Sequence, residues 1–387
     1  MRNIFNNTQI AFSLKSDTEL ERAYFLFKMI ANKPLVRIGT AVTNFAINAN
    51  LPVEGLIRAT VFDHFCGGVN EDDCLNVVDK MFSKGVSSVL DYSVEGKQDE
   101  KQFDAVLKKT LKLIEFAKEK NAIPFAVFKP SGFGRSDLYQ KIGAREPLNP
   151  AEIAEWDNVV IRFDKVCKAS YDSDVSLLID AEESWTQEAV DHLVEDMMMK
   201  YNKSKAIVFN TLQLYRWDRL DYLKSLHLKS EAEGFFLGIK LVRGAYLEKE
   251  NQRAIEKGYV SPICVNKEAT DANYNTALRY MMDNNLTVFA GTHNESSVCF
   301  LMDLMKVKEI RIKDDRIWFG QLYGMSDTIS YNLADKGFNV VKYLPFGPVK
   351  EVIPYLIRRA EENTSVAGQT SRELTMLKAE RNRRKGK

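Results

Sequence analysis

The sequence has little of what marks several large protein classes. Its five cysteines are scattered and none forms a CxxC pair, so neither a zinc ribbon nor a disulfide framework is indicated. No apolar run approaches the roughly 18 residues of a membrane span, and the first residues carry no apolar signal-peptide core. The formal net charge of +1 gives no overall field that would favour nucleic acid. We expect a cytoplasmic protein with reduced thiols and no nucleic-acid partner.

Several catalytic and nucleotide-binding motifs are also missing. The chain contains no GxxxxGK[ST], HExxH or GxSxG. The segment 131–135 starts as G-x-G, but Asp137 stands where a dinucleotide fingerprint needs its third glycine. His293 has no neighbours at metal-ligand spacing. The sequence therefore predicts neither a Rossmann nucleotide site nor a metal site.

What the sequence does contain is an alternation of short apolar runs and helical stretches. Residues 1–85 are typical of a helical segment, with Ser16 and Asn70 as helix caps and with further helices that start at Pro34 and Pro52. Beyond it, continuous apolar runs suit strands buried on both faces of a parallel sheet. Eight alternating units predict a (βα)8 TIM-like barrel over 86–365, followed by a basic helix or tail over 366–387. A doubly wound sheet is the structural alternative. The eight runs are 87–94, 123–130, 175–182, 206–213, 235–242, 286–294, 316–324 and 339–347.

Polar side chains gather where these runs end. Barrel enzymes build their active sites at the carboxyl ends of the strands. Any one of the polar residues could be a helix cap or a rim ion pair, but their concentration at one end predicts a site. Its excess of cations suits an anionic substrate and an anionic cofactor. The set comprises Asp91, Tyr92, Glu95, Lys129, Asp180, Glu182, Glu183, Asn210, Gln213, Lys240, Arg243, Tyr246, Thr292, His293, Asn294, Gln321 and Tyr343.

The last unit carries two adjacent arginines. Since proline is tolerated only in the first turn of a helix, Pro354 predicts a helix that begins near Glu351. On that helix Arg358 and Arg359 present guanidinium forks, which bind carboxylates bidentately. Either arginine is also within reach of Glu362. The alternative is a solvated basic helix face.

Several blocks of the chain resemble the proline dehydrogenases, flavoenzymes of proline catabolism. The blocks occur in family order and span the whole barrel. The resemblance implies a distorted (βα)8 barrel with non-covalent FAD over the strand ends. It also implies oxidation of L-proline to Δ1-pyrroline-5-carboxylate by hydride transfer, with a quinone-type electron acceptor. The blocks are 90–95, 179–183, 240–246, 292–294, 320–325, 343–347 and 354–363.

The same resemblance implies roles around the substrate. Arg358, Arg359 and Lys129 would bind the proline carboxylate. Asp180 would orient Lys129, and Glu95 would close the site by pairing with Arg358. A ring at position 343 would favour proline over hydroxyproline. The side chains that would wall the pyrrolidine ring are Tyr246, Leu322 and Tyr343.

Roles around the flavin follow from it as well. Lys240 would lie by the reactive nitrogen of the flavin. Asn210 would touch the ring, and Val242 would pack below it. The remaining FAD contacts that the resemblance implies are Arg243, Gly244, Thr292, His293, Asn294, Gln321 and Glu362.

Other functions stay open on the residues alone. A Schiff-base lyase or aldolase could use Lys129 or Lys240 on a barrel strand, and a non-catalytic binding barrel is a third function. His64, next to Asp63, is interpreted as a core or surface histidine without a third catalytic partner. The basic end of the chain predicts a frayed, solvated tail. Contact with anionic lipid, peripherally at the inner membrane, is the sharper hypothesis.

Overall fold

A computed structural model of the chain describes residues 4–32, 54–93, 99–365 and 369–386, with the single positions 34, 36 and 39. Eight strands close into a barrel in sequence order, and every pair with a described register runs parallel. Each predicted apolar run overlaps one strand, so the (βα)8 TIM-like barrel is confirmed. The strands are β1 (Val86–Tyr92), β2 (Phe125–Phe128), β3 (Ser176–Ile179), β4 (Val208–Gln213), β5 (Gly238–Val242), β6 (Thr287–Gly291), β7 (Ile317–Leu322) and β8 (Val340–Phe346).

The amino-terminal segment is helical as predicted. Ser16 Oγ accepts from the backbone N–H of Glu19, whose carboxylate accepts from the N–H of Ser16, and this capping box starts a helix. Asn70 caps another by accepting from Asp73 N. The helices predicted at Pro34 and Pro52 fall largely outside the described residues. The described ones are Thr8–Ala11, Asp17–Ile30, Glu54–Ile57, the π-helical Arg58–Phe62, Asp63–Phe65 and Glu71–Phe82.

Helices also fill the connections between strands and the end of the chain. The helix that carries the two arginines begins at Val349, two residues before the predicted start, and Pro354 lies inside it. The carbonyl of Pro348 already accepts from the N–H groups of Glu351 and Val352, so the first turn forms ahead of the proline. These helices are Glu100–Lys118, Ser136–Gly143, Pro150–Ser173, Ser184–Tyr201, Arg219–Glu233, Leu247–Lys257, Lys267–Asp283, Glu295–Val307, Asp327–Asp335, Val349–Ser365 and Gln369–Arg384.

Residue contacts group the chain into two units. One comprises Met1–Glu95 with Gly320–Lys387, and the other is Gly96–Phe319. Within the first, β1 pairs with β8 in the register Val86 to Val340. That pairing places the first and the last strand of the barrel in the same unit. The two units therefore do not coincide with the domain boundaries predicted after residues 85 and 365, and those boundaries stay a prediction.

The basic end of the chain is a docked helix, so the prediction of a frayed tail is wrong. Leu377 packs in an apolar cluster with Phe12 of the amino-terminal segment. Arg384 Nη2 donates to the carbonyl of Phe12 at 2.9 Å, and Arg381 pairs with Glu21 at 2.6 Å. These charges bind partners within the chain. Over the described ranges, no helix combines the length and apolar character that crossing a membrane requires.

Candidate active site

Two lysines share one carboxylate: Lys129 and Asp180 directly follow β2 and β3, and Lys240 lies within β5. Lys240 Nζ donates to Asp180 Oδ1 at 2.6 Å, and Lys129 Nζ lies 3.8 Å from Asp180 Oδ2. The three side chains are only 8–16% exposed. Removing charges from water is costly unless they are paired, and the carboxylate offsets that cost for both ammonium groups. The structure therefore brings Lys129, Asp180 and Lys240 into one cluster.

Strand β4 divides its polar side chains between two faces. The ring of Phe209 meets that of Phe125 edge-on inside the barrel, with centroids 5.9 Å apart. Strand side chains alternate, so Gln213 shares this interior face. Asn210 faces the helix layer, where its Nδ2 donates to Asp191 Oδ1 at 2.9 Å. The predicted flavin contact of Asn210 stays a prediction, and period-two alternation would have favoured Gln213.

Gln213 itself is almost fully buried, with 3% of its surface exposed. Its Nε2 donates weakly to the carbonyl of Ala181 at 3.5 Å. Its Oε1 accepts no hydrogen bond from the described residues. A buried acceptor without a donor costs free energy, so this amide oxygen is suited to a ligand N–H at the end of β4.

Arg243 follows β5 and is bound by side chains of the protein itself. Its Nε donates to Asp271 Oδ1 at 2.7 Å. Its terminal nitrogens donate to Thr292 Oγ1 at 2.8 Å and Ser297 Oγ at 2.9 Å. The guanidinium also lies 4.4 Å from the ring centroid of Tyr274. Arg243 thus links the end of β5 to that of β6, and the predicted cofactor contacts of Arg243 and Thr292 stay predictions.

Gly244 lets the backbone turn sharply after β5. Its φ of 128° is one that side-chain-bearing residues rarely adopt. A Cβ there would lie 2.4 Å from the ring of Tyr215. Val242 and Tyr246 on either side are half-buried, and Tyr246 precedes the helix Leu247–Lys257. The glycine therefore permits the close approach of the Tyr215 ring, and the predicted cofactor contact of Gly244 stays a prediction.

The residues after β6 start a helix. Asn294 Oδ1 accepts from the N–H of Ser297 at 3.1 Å and so caps Glu295–Val307. Thr292 Oγ1 accepts from Asn294 N at 3.1 Å. His293 lies half-buried between them. The cap gives Asn294 a structural role, and its cofactor contact and that of His293 stay predictions.

In the unit that contains β8, two of the predicted substrate-wall residues, Leu322 and Tyr343, lie on neighbouring strands. Tyr343 is 6% exposed, and Leu322 is half-buried at the end of β7. The N–H of Tyr323 donates to the carbonyl of Tyr343 at 2.8 Å. Leu322 packs against an apolar cluster that includes Val352 and Tyr355. A backbone hydrogen bond thus ties the chain beside Leu322 to Tyr343.

The two arginines are not on a solvated helix face. Arg359 is 8% exposed and Arg358 is half-buried. The guanidinium carbon of Arg359 lies 5.3 Å from the ring centroid of Tyr355, one turn earlier. Val352 and Leu356 bury the apolar stripe of the same helix. The solvated alternative is wrong for Arg359, which is a buried cation.

Three predicted residues stand apart from these groups. Glu95 lies outside the described residues. Glu362 lies on the helix Val349–Ser365, among positions whose side chains are not described. Gln321 is 2% exposed, and its Oε1 accepts from Ser330 Oγ at 2.9 Å. Its predicted cofactor contact stays a prediction.

Glu182 has a role that the sequence did not reveal. Its carboxylate accepts from the N–H of Ser131 at 2.8 Å and from Ser131 Oγ at 2.6 Å. Burial raises the pKa of Glu182 to about 7, against the lowering effect of these two bonds. It therefore binds the turn immediately after Lys129. Ser131 is far from Glu182 in sequence, so no local motif could have indicated this contact.

A family model and individual relatives match most of this chain. The model of the proline dehydrogenase family matches residues 74–372. The carbapenem antibiotics biosynthesis protein CarD of Pectobacterium carotovorum subsp. carotovorum is 36% identical over 333 residues, which cover 86% of each chain. The mitochondrial proline dehydrogenase 1 of Dictyostelium discoideum is 31% identical over 379 residues, 86% of this chain and 66% of that one.

A solved structure shows the same fold. Proline utilization A from Bdellovibrio bacteriovorus, inactivated by N-propargylglycine, superposes with a TM-score of 0.71 at 20% identity. The match covers 95% of this chain and 37% of that one. The chain thus spans about a third of the length of that structure and about two thirds of the Dictyostelium protein.

Proposed function

Because the chain belongs to the proline dehydrogenase family, we propose that it oxidises L-proline to Δ1-pyrroline-5-carboxylate with FAD as the hydride acceptor. It is an oxidoreductase of a flavin-dependent family. The observation that carries the proposal is the Asp180 carboxylate between Lys129 and Lys240 at the strand ends of the barrel.

The described residues fit a flavin. Its ring carries an N–H that needs an acceptor, and the buried Oε1 of Gln213 lacks a donor among the described residues. Lys240, on the neighbouring strand, adds a cation that favours negative charge on a reduced ring. When bound, FAD supplies the two-electron acceptor.

The cations of the chain bind and orient the substrate. Arg358 and Arg359 offer forks for the proline carboxylate, and Lys129 adds a point charge whose position Asp180 fixes. Tyr343 and Leu322 limit the space beside the ring. Orientation by such a handle can supply a large share of a rate enhancement.

The same cations prepare the amine. Hydride leaves the carbon next to nitrogen only when the nitrogen lone pair is available, so the amine must be neutral. Nearby positive charges disfavour an ammonium group and lower the pKa of a bound amine. Cations that bind the carboxylate therefore also favour release of the amine proton.

The lyase or aldolase alternative is not favoured. Schiff-base chemistry needs a lysine with an available lone pair. Lys240 donates to Asp180, and Lys129 faces the other oxygen of the same carboxylate. Both lysines are thus engaged as ammonium groups.

The reduced flavin needs an oxidant. We assign this role to a quinone-type acceptor in a cytoplasmic enzyme that contacts the inner membrane peripherally. Turnover with a water-soluble quinone tests the acceptor, and co-sedimentation with lipid vesicles tests the contact. Without turnover the quinone assignment fails, and without co-sedimentation the membrane contact fails.

Spectroscopy and product trapping test the whole proposal. Purified protein supplied with FAD should show a flavin spectrum that L-proline bleaches under anaerobic conditions. The product should react as a cyclic imine, and D-proline is the control substrate. A protein that stays colourless, or a flavin that proline does not reduce, would overturn the proposal.

A further inference from the structure

Lys342, on β8, is a fully buried lysine that the proposed reaction does not use. Its side chain is 0% exposed and its Nζ lies 2.8 Å from Asp327 Oδ1. The same Nζ donates to the carbonyl of Met325 at 2.7 Å and to that of Leu322 at 3.4 Å. An ammonium group has three N–H donors, which matches these three acceptors.

Asp327 lies at the centre of a buried charge cluster, formed by Lys15, Asp327, Lys342 and Glu373. Its other oxygen lies 3.2 Å from Lys15 Nζ. Burial alone would raise the pKa of Asp327, but the two ammonium groups lower it well below its usual value. Burial and the charge of Asp327 raise the pKa of Glu373 to about 7. Asp327 is thus the carboxylate that keeps Lys342 charged.

The carbonyls that Lys342 binds belong to one short loop, residues 322–326, between β7 and the helix Asp327–Asp335. A third carbonyl of this loop, that of Gly324, lies 2.9 Å from His64 Nε2. A carbonyl only accepts, so Nε2 carries the proton. Burial lowers the pKa of His64 to about 3, so the ring is neutral. The buried Lys342 and the half-buried His64 therefore hold three carbonyls of the loop.

We propose that Lys342 and Asp327 are positioning residues that fix the loop 322–326 so that Leu322 stays against the substrate ring. The inference rests on the proposed function, in which Leu322 and Tyr343 border that ring. Lys342 immediately precedes Tyr343, and strand side chains alternate between faces. One strand thus presents the ring contact on one face and the anchor of the neighbouring loop on the other.

Stability alone explains this lysine poorly. Apolar replacement of a buried ion pair is often neutral or stabilising. An apolar side chain of equal volume would fill the space, but it would not direct carbonyl groups. The ammonium group instead selects one position of the loop, because it binds the carbonyls of Leu322 and Met325 together.

The test uses a charge-balanced double variant of the full-length holoenzyme. Lys342→Met with Asp327→Asn removes one charge of each sign and nearly preserves volume. The control is Arg316→Met, which removes a cation that donates to the carbonyl of Asn285 at 3.3 Å, at the amino end of β7. The measured quantities are flavin content, Tm, and kcat and KM for L-proline. Inhibition constants are also measured for two carboxylates, cyclopentanecarboxylate, which has a ring, and butyrate, which has none.

We expect the double variant to keep its flavin and to raise KM and the cyclopentanecarboxylate inhibition constant about tenfold, because a small displacement of a wall residue is felt strongly. The butyrate constant should change less than about twofold, since the carboxylate handle is untouched. The control should match the unsubstituted enzyme. Equal changes for both inhibitors, or a lower Tm with unchanged constants per bound flavin, would refute the positioning role.

The two proposals fail in different ways. If the unsubstituted enzyme does not oxidise proline, the proposed function fails and the inference fails with it. If it turns over normally and the variant constants equal its own, only the positioning role is refuted. Should the double variant not fold, Asp327→Asn alone keeps an oxygen acceptor for Lys342 and should shift the same constants about threefold. An unchanged KM in that variant would also refute the role.

Discussion

Lys240 Nζ and Asp180 Oδ1 lie 2.6 Å apart, and the second oxygen of the same carboxylate faces Lys129. One negative charge thus holds a buried cation, Lys240, and a half-buried one, Lys129, in place. The arrangement keeps a net cation at the strand ends while restricting both side chains. It is suited to binding anions in a fixed orientation.

Asp180→Asn removes the negative charge of this side chain while it nearly keeps its shape, and so tests the role of the charge. Two ammonium groups would lose their shared partner and repel each other, so we expect kcat/KM for proline to fall about a hundredfold. Steady-state kinetics at equal flavin content measures this. Glu183→Gln, which removes a carboxylate paired with the exposed Lys249, is the control. Equal activity of the two variants would contradict the role of Asp180.

Arg359→Lys tests whether a fork, rather than a charge alone, binds the substrate. Lysine keeps the charge but not the bidentate geometry, so KM for proline should rise about tenfold with a smaller change in kcat. Lys350→Met on the same helix removes an exposed cation that lies 3.4 Å from Glu54. This control should leave KM unchanged. A KM that Arg359→Lys does not alter would exclude the fork.

Tyr343→Ser tests selectivity for the substrate ring. The phenol ring is buried on β8, and its loss opens space beside the pyrrolidine position. We expect the ratio of kcat/KM values for proline and 4-hydroxyproline to fall about tenfold. Competition between the two substrates measures it directly. Tyr343→Phe keeps the ring and should preserve the ratio; relaxed selectivity in that control would exclude a steric cause.

Glu373→Gln should change how stability depends on pH. The folded-state pKa of Glu373 is about 7 against an ordinary 4.5, so the folded protein loses stability as pH rises between these values. Glutamine cannot titrate. The free energy of unfolding of the variant, relative to the natural chain, should therefore increase from pH 5 to 7 and level off above, by on the order of 3 kcal/mol. Urea unfolding at several pH values measures this difference.

Glu182→Gln should show the same dependence, because burial also raises the pKa of Glu182 to about 7. A stability difference that stays flat across this pH range would contradict the assigned burial of either carboxyl group.

The strands were predictable because continuous apolar runs encode burial on both faces, and each run overlaps a strand. It was harder to predict on which face of its strand an individual side chain lies. Asn210 and Gln213 are both amide residues of β4, and only alternation relative to Phe209 separates them. Lys342 lies within an apolar run, and its partner Asp327 follows a different strand, so no local pattern indicated their ion pair. Local pattern thus fixed elements but not these pairings.

The docking of the terminal helix, unlike its helical character, could not be predicted, for a related reason. The basic composition of the helix is the same whether the charges meet solvent, lipid or protein. The partners of Arg381 and Arg384 lie near the start of the chain, at Glu21 and Phe12. No periodicity or motif links positions so far apart in sequence.

The pairing of β1 with β8 also has a consequence for synthesis. A growing polypeptide carries β1 long before its partner strand leaves the ribosome, because translation proceeds at roughly 5–20 residues per second. Until then one edge of β1, from Val86 to Tyr92, has unfilled backbone donors and acceptors. A second nascent copy could pair wrongly with this edge, and a chaperone could bind it. Once β8 has been synthesised, it occupies the edge.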